Sequence, residues 1–221
     1  MTKKKRVLVT RLLSQEQRDK LAAFEIEEAT LISVRHYENA SIPDKARNVI
    51  FTSKNSVISL KKEISNKQGS FERVFCVGEQ TEKLLMQYGI VHVVRENSAE
   101  ELAYKIIEEK IEQVDFFCGN LRREELPVIL EENGIIVTEH EVYKTEFTPQ
   151  KFKNHFDAIL FFSPSGVLSY FSEQNSRDTV AFCLGNTTAV EAIDYFENVY
   201  AAEEPSVESL IESVIEYYKN E

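Results

Sequence analysis

Phe75-Cys76-Val77-Gly78-Glu79-Gln80-Thr81 and Phe182-Cys183-Leu184-Gly185-Asn186-Thr187-Thr188 are two copies of one pattern, an apolar run closed by a glycine and a polar trio that opens a helix. Gly185 lies 107 residues after Gly78. Earlier in each half, Val49-Ile50-Phe51-Thr52-Ser53 resembles Ile159-Leu160-Phe161-Phe162-Ser163, with Ser163 110 residues after Ser53. Beyond the glycines, Asn97-Ser98-Ala99-Glu100-Glu101-Leu102 and Glu204-Pro205-Ser206-Val207-Glu208-Ser209-Leu210 each lead into a helical pattern. More weakly, Val7 to Arg11 and the helix after it match Phe116 to Asn120 and theirs, about 109 residues on. Near-constant offsets over several units mark a duplicated α/β module, so the reading is two similar domains rather than one large sheet.

Outward from the repeat, short apolar runs alternate with amphipathic stretches, the pattern of an α/β protein with largely parallel sheets flanked by helices. Strands are expected at Arg6 to Thr10, Ala29 to Val34, Asn48 to Thr52, Arg73 to Val77, Val91 to Val94, Val114 to Cys118, Ile135 to Tyr143, Asp157 to Phe162, Val180 to Leu184 and Val199 to Ala201. Ser14 with Gln17, and Ser98 with Glu101, have capping-box spacing. Pro164 fits the first position of a helix, and Pro205-Ser206 opens the last one.

The chain has 221 residues, enough for two domains of about 100 residues each. An apolar share of 43% with only 7 Gly and 5 Pro excludes disorder and collagen-like structure. Lys and Arg number 26 against 37 Asp and Glu, a net charge of −11 that repels phosphate backbones and anionic lipid. Neither nucleic acid nor a membrane is therefore an expected partner. No apolar run approaches the roughly 20 residues that span a bilayer, and Val7-Leu8-Val9 is too short for a signal peptide. Cys76, Cys118 and Cys183 are an odd number without a CxxC pair, which suggests reduced thiols packing as small hydrophobes in a cytoplasm.

In parallel sheets ligands bind outside the carboxyl ends of the strands, where loops lead into helix N-termini. The repeat puts Ser53 and Ser163, and the segments Gly78 to Thr81 and Gly185 to Thr188, at such places. Helix N-termini offer unpaired N–H groups and partial positive charge, so an acidic protein can hold carboxylates there; the plainer alternative is that these hydroxyls only cap their helices. In Cys118-Gly119-Asn120-Leu121-Arg122-Arg123-Glu124-Glu125 two arginines open a helix, where the dipole disfavours cations; a bound anion, or simply Glu124 and Glu125, would offset them. Phosphate-loop and dinucleotide fingerprints are absent, and His36, His92, His140 and His155 show no metal-ligand spacing, so the reading includes no cofactor and no metal, and treats the histidines as ordinary loop or surface residues. Tyr143, in Glu141-Val142-Tyr143-Lys144-Thr145, is on sequence alone a packing aromatic.

Taken in order, Val7-Leu8-Val9-Thr10-Arg11, Phe51-Thr52-Ser53, Val77-Gly78 with Thr81, Cys118-Gly119-Asn120-Leu121-Arg122-Arg123-Glu124 with Leu126-Pro127, Val142-Tyr143 with Thr145, Phe161-Phe162-Ser163-Pro164-Ser165-Gly166, Gly185 with Thr187-Thr188, and Pro205-Ser206 resemble uroporphyrinogen-III synthase over nearly the whole chain. The resemblance implies two α/β domains joined by a two-stranded ladder, with the active site in the interdomain cleft. One domain would be 1–33 with 146–221 and the other 34–145, the linker strands lying near 34–37 and 140–143. The implied reaction cyclises hydroxymethylbilane to uroporphyrinogen III with loss of water and inversion of ring D. An azafulvene forms on ring A, ring D attacks through its substituted carbon, and a spiro intermediate fragments and recloses.

By that resemblance Tyr143 is the candidate to donate a proton or hydrogen bond to the leaving hydroxyl. Ser53, Thr81, Ser163 and Thr187 would hold the substrate's carboxylates, with Arg11, Arg122 and Arg123 as further candidates. Where some relatives carry an arginine two residues after the Ser53 position, this chain has Asn55. The expected partner is a small-molecule tetrapyrrole, and the expected state a cytoplasmic monomer. A two-lobed binding or regulatory module that traps a small anion without catalysis is the alternative.

Overall fold

The computed structural model describes residues 4–219. The chain forms two compact units, Met1–Ser33 with Glu146–Glu221, and Val34–Thr145. It passes from one to the other inside β3 (Ile32–His36) and returns inside β8 (Ile136–Phe147), two strands that neighbour each other in a sheet.

In the first unit β1 (Arg6–Val9), β2 (Glu25–Glu28), β9 (Ala158–Phe161), β10 (Val180–Cys183) and β11 (Asn198–Ala201) form a sheet of order β11-β10-β9-β1-β2 in which each of these pairings is parallel. In the second, β4 (Asn48–Phe51), β5 (Arg73–Val77), β6 (Val94–Glu96), β7 (Gln113–Gly119), β8 and β3 have the order β3-β8-β7-β4-β5-β6. Apart from β3, the second order is the first with β4, β5 and β6 in place of β9, β10 and β11, and with β7 and β8 in place of β1 and β2. The duplication read from sequence is thus a duplication of sheet topology.

Each sheet is covered on both faces, because its central strands are apolar at successive rather than alternate positions. In β9, Ile159 and Phe161 pack with Val167 and Tyr170 of α7 (Pro164–Ser172) and Ala192 of α8 (Asn186–Ile193). The intervening Ala158 and Leu160 pack with Leu210, Ile211 and Val214 of α9 (Val207–Lys219) on the other face. The second unit repeats this arrangement. Phe51 and Phe117 face Val57 of α2 (Lys54–Ser59), Ile64 of α3 (Lys61–Asn66) and Leu85 of α4 (Glu79–Gln87). Ile50 and Phe116 face Ile106 of α5 (Ala99–Glu108) and Leu130 of α6 (Glu125–Glu132).

Both expected capping boxes are present, Ser14 opening α1 (Gln15–Lys20) and Ser98 opening α5, and Pro164 is the first residue of α7. Two strand expectations are corrected. Ala29 to Val34 is not one strand: β2 lies earlier, at Glu25–Glu28, an acidic edge that pairs with β1 and is held by Arg6 through Glu25 and Glu27. Periodicity misses it because Glu-Ile-Glu-Glu carries only one apolar residue. Val91 to Val94 is likewise displaced to β6, Val94–Glu96, since Val91 is 76% exposed and β6 is an edge strand pairing through Phe75, Cys76 and Val77.

Candidate functional site

In the second unit the carboxyl ends of β4 and β7 converge on Tyr143. Ser53 follows β4, caps α2 by accepting from the Asn55 N–H at 3.0 Å, and places its hydroxyl near the Tyr143 phenol, whose pKa it lowers. The ring lies against Gly119, the last residue of β7: a Cβ built on that glycine would stand 2.4 Å from Cε2 and Cζ of Tyr143. The close approach is made by a register shift between Cys118 and Gly119, which sets Gly119 opposite Tyr143. A bulge of this kind re-aims a side chain at the end of a strand. Burial raises the Tyr143 pKa, opposed by the nearby Ser53 hydroxyl, so the phenol is neutral and holds its proton at neutral pH.

The loop after β7 is tied down next to that ring. Asn120 donates to the Thr145 carbonyl at 3.1 Å and accepts from the Thr145 N–H at 2.7 Å. Arg122 donates to Glu139 and to Glu124, each at 2.7 Å, and its pKa rises through these bonds, chiefly that to Glu124. Both arginines precede α6, whose N-cap is Glu124. Of the two explanations for the arginine pair, neighbouring acids offset Arg122; Arg123 is exposed.

The other expected residues fall at the strand ends of their own units. Ser163 caps α7 through the Gly166 N–H at 3.2 Å and bonds Ser165. The guanidinium of Arg11, exposed after β1, lies 5.2 Å from the centre of the Phe162 ring. Thr81 is buried in the first turn of α4. Its counterpart by position is Thr188, also buried, whereas Thr187 is exposed: the N–H groups of Thr81 and Thr188 both donate to their N-cap glycine carbonyls, at 3.1 and 3.0 Å. Neither α4 nor α8 has a side-chain cap, so their leading N–H groups are presented without a competing hydroxyl. Gly78 reaches its N-cap position with φ +81, where a side chain would be strained, while Gly185 is extended.

Sequence reasoning passed over two histidines that the structure engages. His36 shares a hydrogen bond with Ser59 at 2.8 Å; the Ser59 hydroxyl already donates to the Asn55 carbonyl, so the imidazole Nδ1 is the donor. Its ring centre stands 6.4 Å from that of Tyr143. His140 pairs with buried Asp115 at 2.7 Å and stacks on Phe117. The available signal was an aspartate inside the apolar run of β7, which requires a partner when buried. His92 and His155 are exposed.

All three thiols are buried, and burial pushes Cys76 and Cys183 up to about 12 and Cys118 up to about 11. Because the thiolate is the reactive form, an aromatic disulfide reagent at pH 8 is expected to label the native protein roughly a hundredfold or more slower than the urea-unfolded chain. A thiol reacting at the unfolded rate in the native state would contradict that placement.

The family model for uroporphyrinogen-III synthase HemD matches residues 16–212. Among solved structures, uroporphyrinogen-III synthetase from Helicobacter pylori is 19% identical, with 96% of this chain and 99% of that one covered at a TM-score of 0.65. A mutant uroporphyrinogen III synthase from the extremely thermophilic bacterium Thermus thermophilus is 14% identical, with 98% and 99% covered at a TM-score of 0.70. These likenesses carry the fold, and the family match carries the kinship: over most of its length, from the first helix to the last, this chain belongs to the uroporphyrinogen-III synthase family.

Proposed function

We propose that Tyr143 assists departure of the hydroxyl in the reaction of this family, and that uncapped helix ends hold the substrate's carboxylates. The reaction itself is that of a cyclising lyase, hydroxymethylbilane to uroporphyrinogen III with loss of water and inversion of ring D. The substrate closes without inversion when left alone. Catalysis therefore consists largely of holding a reactive chain in the less accessible arrangement while its hydroxyl leaves. A neutral phenol beside the strand ends, near Ser53 and seated on Gly119, can donate to that hydroxyl without first being charged. This observation carries the assignment.

For the carboxylates, the N-termini of α4 and α8 are the best supported seats. Ser53 and Ser163 spend their hydroxyls on capping, whereas α4 and α8 begin at glycines without side-chain caps. The first turn of α8 also lacks an acidic residue, so its partial positive charge is not offset locally. Arg11, Arg122 and Arg123 add positive charge near these strand ends, Arg11 and Arg123 exposed and Arg122 paired with Glu124 and Glu139. We also propose a monomer working in the cytoplasm without nucleic acid, supported by the net charge of −11. Among the described residues no helix is long and apolar enough to cross a membrane.

The test is to give the purified protein fresh hydroxymethylbilane and separate the product isomers. The inverted isomer is expected to dominate. Formation of only the uninverted isomer, at the rate without protein, would sink the reading.

A further inference from the structure

Strand β8 carries Tyr143, yet its hydrophobic pattern does little to fix where it lies along β7. Of its twelve residues, Ile136–Phe147, only Val142 and Thr145 are buried, and Ile136 is 62% exposed. Register is strongly specified where a hydrophobic set must reach one face, and weakly in a polar strand. A shift of one residue would turn every β8 side chain to the other face, and a shift of two would carry Tyr143 about 7 Å along from Gly119. The seat of the phenol on Gly119 therefore needs another source of register.

That source lies on the neighbouring strand. Asp115 is 6% exposed inside the apolar run of β7, and its carboxylate shares a 2.7 Å hydrogen bond with Nε2 of His140. Among the described residues this is the carboxylate's one hydrogen bond. The imidazole also stacks on Phe117, the residue that His140 faces in the ladder, with ring centres 4.9 Å apart and planes at 20°. Asp115 and Phe117 share a face of β7, so the imidazole lies over one and reaches back to the other.

Beyond His140 comes the register shift that sets Gly119 opposite Tyr143, and beyond that Thr145 exchanges two bonds with Asn120. Tyr143 is thus held between two polar clamps, with the bulge between them. Arg122 also reaches Glu139, but through two long side chains that can follow a shifted strand. A buried carboxylate without a partner is costly, and a polar pair in an apolar layer adds less stability than packed hydrocarbon would. What such a pair supplies is direction: one arrangement of the strands satisfies it, and slipped ones leave Asp115 unpaired.

We propose that Asp115 and His140 are positioning residues that fix the register of β8 on β7 and thereby seat the Tyr143 phenol on Gly119 for the reaction; the proposal rests on the role given to Tyr143 above. The test replaces the directional bond by hydrocarbon. Asp115→Val with His140→Phe fills both places, keeps an aromatic ring on Phe117 and leaves no buried charge unpaired, so the urea midpoint is expected to stay at or above that of wild type. The NMR signals of the Gly119 α-protons, shifted by the Tyr143 ring and joined to it by nuclear Overhauser effects, report the seat directly. One such set is expected in wild type. In the double variant it should lose about half its intensity or more to signals from slipped strands, while kcat falls about tenfold or more and KM stays within about threefold. His140→Gln, which keeps an amide donor for Asp115, is expected to retain the seat and to hold kcat within about twofold of wild type. With Tyr143→Phe already present, the double substitution should add less than about twofold further loss, since no hydroxyl is left to misplace.

A Gly119–Tyr143 set unchanged from wild type in the double variant would overturn the proposal, whatever its turnover. A lowered urea midpoint with the same loss of turnover in the Tyr143→Phe background would overturn it in favour of a structural role. A lost seat with unchanged turnover would overturn the positioning role together with that of Tyr143. A wild type that makes only the uninverted isomer would overturn the functional reading, while the Gly119 signals still decide whether the pair sets the register.

Discussion

Tyr143→Phe is expected to slow turnover at least tenfold, a loss of transition-state stabilisation of about 1.4 kcal/mol or more. The substitution removes only the hydroxyl. The ring keeps its seat on Gly119, and the native state loses only the phenol's polar contact near Ser53, at most about 1.5 kcal/mol of stability. A fall in kcat well beyond what that modest change explains marks the hydroxyl as a participant in the reaction. The wild type should also show no alkaline fall due to this group below about pH 10, because burial raises the phenol above its ordinary value and keeps the proton in place. Turnover unchanged in the Phe variant rejects the assignment.

Gly119→Ala should be the more damaging change, since it acts on both the fold and the site. The new Cβ would stand 2.4 Å from two ring carbons of Tyr143 and 2.9 Å from its oxygen, closer than packed atoms approach. The ring must then leave its seat and its place beside the Ser53 hydroxyl. Overpacking of this kind costs about 1–3 kcal/mol, which a urea titration would register. The loss of turnover should be at least as large as for Tyr143→Phe.

The double variant separates the two effects. If Gly119→Ala lowers turnover by displacing the phenol, it adds little further loss once the hydroxyl is gone, while the stability cost persists because the Phe ring occupies the same space. Wild-type turnover in Gly119→Ala would show that this seating of Tyr143 does not matter to the reaction.

Much of the fold was legible because it rests on local rules. Apolar runs such as Ala158 to Phe161 and Val49 to Phe51 read as buried strands since both of their faces are covered. Capping boxes at Ser14 and Ser98 and the proline opening α7 need only a few adjacent residues, and they appear as expected. Edge strands were less visible. Glu25–Glu28 gains its place from pairing with β1 and from Arg6, neither of which a hydrophobic pattern records.

Ser53, Ser163, Thr81 and Thr187 had equal standing as hydroxyls beside helix starts. Burial and bonding now divide them, because Ser53 and Ser163 cap, Thr81 is enclosed and Thr187 is exposed. The same local view treated His36 and His140 as surface residues, although their partners Ser59 and Asp115 lie more than 20 residues away.

By itself, then, the sequence determined the α/β class, the duplication and the family, because periodicity, capping and an ordered repeat are properties of neighbouring residues. Only the tertiary structure decided which side chains meet. Tyr143 lies 24 residues from Gly119 and 90 from Ser53, and a register shift between β7 and β8 brings the three together. Contacts between distant residues follow from strand order and register, which many apolar sequences would satisfy equally well, so only the packed fold selects them.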